Sequence, residues 1–236
     1  RDSWGGDERT IIVMRAFLAL CLLAGAAFAD TSPRPSLPPG VVASWSFART
    51  GSIDERTGRK IELVNGRIDK TGLRLEGGAY AVAKDSKIGA AAGSVSIEVW
   101  VKFEQLNRDW ALLCMRGAQE KQIGETFGIY VGAQGMVYFN ANRTSTQTPN
   151  AAITVGEWVH VVCVVDKDDK TQKIYVNGKE MVSVRTAEGG LVDKGGPTYV
   201  GGCDQHGYHV NGTMRQVRIH GRALAARDVE RLAKAK

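Results

Sequence analysis

From residue 41 onward, apolar and polar positions alternate in short runs. VVASWSF at 41–47, LRLEGGAYAVA at 73–83, SVSIEVWVKF at 94–103, WALLCMR at 110–116, FGIYVG at 127–132 and MVYFNAN at 136–142 all have this form. EWVHVVCVVD at 157–166, QKIYVNG at 172–178, EMVSVR at 180–185, TYVGG at 198–202 and TMRQVRIH at 213–220 continue it. These runs are rich in Val, Ile, Tyr and Phe, and Gly, Asn and Asp separate them, which predicts strands. Residues 157–166 are apolar on both faces near their middle, as a central strand would be. Asn177-Gly178 supplies the positive φ values of a type I′ turn, so 172–185 reads as a hairpin. In it Ile174 and Val176 share one face and Tyr175 takes the other. Only Leu224–Ala235 changes period: Leu224, Val229 and Leu232 among charged residues predict a short amphipathic helix. Many strands with no helices between them predict an all-β sandwich of two antiparallel sheets, closed by a C-terminal helix.

The N-terminal end reads differently. Arg15 precedes an apolar run, Ala16–Phe28, and Ala27-Phe28-Ala29 has the small-x-small form of a cleavage site. The expectation is an upstream extension at 1–13, a signal peptide at 14–29 cleaved after Ala29, and a secreted, periplasmic or cell-surface protein. Residues 30–40, DTSPRPSLPPG, hold four of the six prolines and read as a stiff linker. One domain at 41–236 would follow. No segment of the mature chain is apolar enough to span a membrane.

The formal net charge is +6. Such a balance favours polyanionic partners such as acidic polysaccharide. The basic residues are scattered, without the aromatic-flanked basic runs that nucleic acid needs. Cys114 and Cys163 lie in apolar strands and read as buried small hydrophobes, whereas Cys203, in the Gly-rich GGCDQHGYH loop, is expected to be exposed. That loop places Cys203, His206 and His209 close in sequence, but the spacing is not that of a closed zinc site. DKDDK at 166–170 lacks the glycine and alternating spacing of a calcium loop, and reads as a solvated turn. No cofactor or metal ligand is assigned.

Alternation also nominates surface residues. Ile97, Val99, Val101 and Phe103 point to the core, leaving Glu98, Trp100 and Lys102 on the outer face. Val137, Phe139 and Ala141 point inward, leaving Tyr138, Asn140 and Asn142 outward. If both strands lie in one concave sheet, these residues form an aromatic and amide surface suited to carbohydrate: rings stack on sugar faces and amides bond hydroxyls. The loop with Asp204, His206 and Tyr208 is a second candidate, on the rim of the sandwich.

The ordered motifs WSF (45–47), LVNG (63–66), LRLEGGAY (73–80), SIEVWVKF (96–103), FGIYV (127–131), GEWVHVVCVVD (156–166), IYVNGKEM (174–181), YVGG (199–202) and VRIHGRALAARDV (217–229) resemble the laminin-G-like jelly-roll domain. That domain lies within the concanavalin A-like lectin and glucanase superfamily and has a pentraxin-like layout. The resemblance spans about 41–236 and implies two curved antiparallel sheets and a secreted or surface binding module. The family often carries an acidic pair where Met214-Arg215-Gln216 stands, and Phe-Asp-Gly where Leu75-Glu76-Gly77 stands, so calcium is not supported.

Some members of that superfamily cleave glycans with paired carboxylates. Glu98 has no alternating partner, because Trp100 and Lys102 follow it; Gln122-Ile123 is followed by Gly124 rather than His; and no G-x-S-x-G elbow occurs. The expectation is a non-catalytic recognition or adhesion module that binds carbohydrate. An extracellular protein–protein module and a glycan-cleaving enzyme are the alternatives.

Overall fold

The computed structural model describes residues 37–84, 93–118, 124–141, 143–187, 189–204 and 207–235. The expected leader at 14–29 and most of the linker lie outside them. The first strands are β1 (Val41–Ser46), β2 (Glu62–Val64), β3 (Arg67–Asp69), β4 (Gly72–Leu75) and β5 (Tyr80–Ala83). Next come β6 (Val95–Gln105), β7 (Trp110–Ala118), β8 (Gly124–Gly132), β9 (Val137–Ala141) and β10 (Thr144–Gln147). The last are β11 (Trp158–Asp166), β12 (Thr171–Val176), β13 (Lys179–Arg185), β14 (Thr198–Val200) and β15 (Asn211–His220). A four-residue helix α1 (Phe47–Thr50) follows β1, and α2 (Ala226–Lys234) ends the chain.

The strands form two antiparallel sheets. The front sheet has eight, in the order β13-β12-β11-β6-β15-β4-β3, with β1 also paired to β15. The back sheet has seven, in the order β10-β9-β8-β7-β14-β5-β2. The run at 73–83, which alternation reads as one strand, is divided: β4 joins the front sheet and β5 the back. Glu76-Gly77-Gly78 carries the chain across, and both glycines take positive φ (60° and 84°), a conformation other residues adopt only with strain.

The two inner faces share one core. Ile97, Val99, Val101 and Phe103 of β6 meet Phe127, Ile129 and Val131 of β8 and Phe139 of β9 in a single buried cluster. Cys114 and Cys163 lie in the same cluster. Burial pushes the Cys114 thiol up to about 12 and Cys163 well above its ordinary range. β11 is apolar on both faces because α2 covers its outer one: Val162, Val164 and Tyr175 pack there against Leu224, Val229 and Leu232. The hairpin turn is left-handed at Asn177 (φ 51°) and Gly178 (φ 83°), as a type I′ turn requires. A Cβ at Gly178 would meet Ala233 at 3.1 Å, so that turn also carries the helix closely.

Candidate functional site

The two sets of outward residues do not share a sheet. β6 belongs to the front sheet and β9 to the back, so Glu98, Trp100 and Lys102 face away from Tyr138 and Asn140. Glu98 (1% exposed) and Trp100 (5%) are not surface groups at all. Glu98 accepts from His160 Nε2 at 3.2 Å and His220 Nε2 at 3.0 Å, and Arg218 Nη1 lies 3.5 Å away. Trp100 packs on His160 with ring centroids 4.8 Å apart. Both residues hold the sheet together rather than greet a ligand, a correction that alternation could not make: it separates the two faces of a strand but cannot tell a covered outer face from a bare one. Lys102, half-buried, lies further along the same outer face in a basic cavity.

The back sheet's outer face is where the sequence candidates gather. Tyr138 and Asn140 project from β9, and Tyr208 and Asp204 reach the face from the loop after β14. Asn142 and His206 lie outside the described residues. Tyr208 is positioned by the main chain: its carbonyl accepts the Leu112 N–H at 2.9 Å, which holds the loop against β7. The loop is therefore not a free rim. Cys203, expected to be exposed, is completely buried in the cluster it covers, with Leu112 and Met115. An apolar thiol next to an uncovered sheet face is a good filler, and this buries it despite the glycines around it.

Residues that alternation did not nominate complete the face. Trp110 lies 5.4 Å from Tyr138 and 6.4 Å from Tyr130, and Tyr130 lies 6.2 Å from Tyr138 and 6.4 Å from Tyr208. Tyr80, Tyr199 and His209 extend the row, Tyr80 lying 6.2 Å from Tyr199 and 6.0 Å from His209. Trp110, Tyr138 and Tyr208 are half-buried, each with part of its ring in solvent. Tyr130 and Tyr199 were within reach of sequence reasoning, since each alternates with inward residues, Ile129 and Val131 or Thr198 and Val200.

Polar groups are interleaved with these rings. Glu125 accepts from the Tyr130 hydroxyl at 2.7 Å and from Asn140 Nδ2 at 2.9 Å. Its carboxylate lies over Gly128, where an added Cβ would stand 1.6 Å from Oε1. Burial, then the Glu125 charge and hydrogen bond, raise Tyr130 far above its ordinary pKa, which keeps its hydroxyl a donor. Burial and the Asp204 carboxylate push Tyr199 up to about 12. The Tyr138 hydroxyl shares a hydrogen bond of 2.6 Å with exposed Ser145. Chemically, the face can stack on flat apolar surfaces and exchange hydrogen bonds with hydroxyls. Among the described residues no three or more His, Cys, Asp or Glu side chains converge to hold a metal.

A search of curated proteins finds no match. Solved structures do match. Trypanosoma rangeli sialidase in complex with 2,3-difluoro-KDN aligns at TM-score 0.63 and 18% identity, over 84% of this chain and 33% of the sialidase. Domain 4 of a GH43 extracellular arabinanase from Geobacillus stearothermophilus, in complex with arabinotriose, aligns at TM-score 0.59 and 21% identity, over 82% of this chain and 98% of that domain. The binding domain of botulinum neurotoxin serotype D aligns at TM-score 0.63 and 14% identity, over 84% of this chain and 52% of that one. The chain thus spans only a third of the sialidase, and identities this low speak for the fold alone. Residues 75–230 match the family model of the concanavalin A-like lectin/glucanases superfamily. That match covers both sheets of the sandwich from β5 onward, and the chain belongs to this superfamily.

Proposed function

We propose that this chain is an exported, non-catalytic carbohydrate-recognition domain whose binding surface is the outer face of the back sheet. One observation carries the reading: Trp110, Tyr138, Tyr130 and Tyr208 form a connected set of rings, partly in solvent, beside the polar pair Glu125 and Asn140. Rings of this kind stack on the apolar faces of sugars, and a carboxylate and an amide take up the hydroxyls between them. The face carries two carboxylates, Glu125 and Asp204, so neutral sugar rings suit it better than acidic ones. That a similar fold has been solved as a whole domain with arabinotriose supports a sugar ligand. Export rests on the leader-like run at 16–28 and agrees with the extracellular origin of the arabinanase domain.

The test is calorimetric titration with a panel of neutral oligosaccharides, with chromatography of the same mixtures for cleavage products. Tyr138→Ala and Trp110→Ala should each weaken binding about tenfold or more with little change in melting temperature, the loss of one stacked ring being worth roughly 1–3 kcal/mol. Cleavage products would sink the non-catalytic reading. A silent panel together with a recovered protein partner would sink the sugar reading.

A further inference from the structure

The front sheet carries a feature that the aromatic face does not explain. On its outer face lies a cavity of about 380 Å³, lined by Lys70, Thr71, Arg74, Lys102, Trp158, Thr213 and Arg215. Four of these seven side chains are cationic. Among the described residues, Lys70, Lys102 and Arg215 form no ion pair. Arg74 does: it bonds Glu104 at 2.8 Å on the cavity's edge and Thr213 Oγ1 at 2.9 Å within it. Asp69 is nearby, but the turn after β3 engages its carboxylate through the backbone and hydroxyl of Thr71.

Two backbone irregularities build the cavity. β15 pairs with β6 on one side, and its register slips between Met214 and Gln216, which leaves Arg215 as the bulged residue. A bulge re-aims its side chain, and here the Arg215 guanidinium lies 4.2 Å from the Trp158 ring centroid. Stacked so, it is pre-oriented and keeps its N–H edge available. Opposite the bulge, β4 comes very close: a Cβ at Gly72 (φ 142°) would stand 2.3 Å from the Met214 carbonyl. Only glycine fits there, and its place brings Lys70 and Arg74 to the bulge.

We infer that this cavity is a second binding site, which takes an anionic group, a sulfate ester or a carboxylate, carried on a saccharide ring. The volume matches a small-ligand site. Arginine and lysine give charge-assisted hydrogen bonds to such oxyanions, and Trp158 offers an apolar wall to the ring that bears the anion. The cavity holds a single aromatic wall, which favours one sugar over the successive stacked bases of a nucleic acid strand. The site lies on the opposite sheet from Trp110 and Tyr138, so it stands or falls separately from the aromatic face.

The experiment titrates the protein with sulfated dextran oligosaccharide, with oligogalacturonate and with neutral dextran of equal length, at two salt concentrations. Lys102→Gln and Arg215→Gln, with Lys179→Gln in the β12–β13 hairpin, outside the cavity lining, as a charge control, are compared at verified equal folding. One charge-assisted contact removed is expected to weaken binding of a charged oligosaccharide about tenfold in Lys102→Gln. Affinity should fall as salt rises, neutral dextran should not compete, and Lys179→Gln should bind as wild type. Preference between the sulfated and carboxylated probes identifies which oxyanion the cavity takes. Equal loss in Lys179→Gln, no loss in Lys102→Gln, or equal binding of a short DNA strand would overturn the site.

Discussion

The Glu98 carboxylate and the His220 imidazole meet at 3.0 Å across neighbouring strands, both fully enclosed by protein. His160 reaches the other carboxylate oxygen from the strand on the opposite side. Glu98 is thereby the clasp of three strands, β11, β6 and β15, at the centre of the front sheet. An ionised carboxylate only accepts, so each histidine meets it as a donor through Nε2.

This clasp predicts an acid limit to stability. Burial alone would raise the Glu98 pKa, but the two histidine hydrogen bonds and the Arg218 charge outweigh it and lower the value from 4.5 to about 2. A depressed carboxylate stabilises the fold fully above its unfolded pKa and stops doing so as pH falls through the folded one. Unfolding free energy should therefore drop between about pH 4.5 and pH 2, and Glu98→Gln should flatten that part of the curve. Glu98→Ala should cost about 3–5 kcal/mol at neutral pH, because it strands two buried donors and a nearby arginine. A Glu98→Ala variant with wild-type stability and reduced sugar binding would instead make Glu98 a ligand contact.

The thiols predict a chemical silence. Cys114, Cys163 and Cys203 are each completely buried. Alkylation followed by peptide mapping should leave all three unmodified in the folded protein and label all three in denaturant. Labelling of Cys203 under native conditions would mean that the loop bearing Tyr208 opens, and the aromatic face with it.

The hairpin predicts a loss of stability without a loss of function. Asn177 supplies the left-handed turn residue and also binds β11 twice: its Oδ1 accepts the His160 N–H at 2.9 Å, and its own N–H donates to the His160 carbonyl at 2.8 Å. Asn177→Ala should cost about 1–2 kcal/mol, from the turn conformation and one stranded buried donor. Asn177→Gly should recover the turn share alone. Sugar affinity should be unchanged in both, as read by titration beside thermal melts.

Much of this arrangement was legible in the sequence, and what escaped has a common physical reason. Long strands whose two faces meet different surroundings alternate, and β6, β8, β9 and β12 were readable this way, while β11, covered on both faces, was readable as a continuous apolar run. The strands that alternation missed, β2, β3 and β10, are three or four residues long and end their sheets. Edge strands are kept short and polar, and so carry little signal. The site was half legible for a related reason. Tyr138, Asn140 and Tyr208 stand on or beside readable strands, but which sheet each strand joins is a property of the topology, and so Trp100 and Glu98 were misplaced. Arg215 could not be foreseen at all, since a bulge is a mismatch between two strands, here Met214 and Gln216 against Val101 and Trp100, that lie far apart in sequence.

Gly128 predicts a loss of function at a modest cost in stability, whereas Asn177 predicts a loss of stability alone. Its φ is not among the left-handed ones, so alanine meets no backbone penalty there. Its importance lies in what passes over it. A Cβ would stand 1.6 Å from Glu125 Oε1 and 2.6 Å from the Tyr130 ring, and Glu125 is the freer of the two to move. Gly128→Ala should therefore push the Glu125 carboxylate off the face and release Asn140, which water can rehydrate, and the buried Tyr130 hydroxyl, which keeps only Met115 Sδ at 3.6 Å. The stability cost should be about 1–3 kcal/mol, most of it from the stranded Tyr130 hydroxyl. Sugar binding should fall about as far as in Glu125→Ala, and the double variant should be no worse than either single one, because both act through the same carboxylate. Additive losses in the double variant would show that Gly128 affects the ligand by direct contact and that Glu125 is not the group it holds in place.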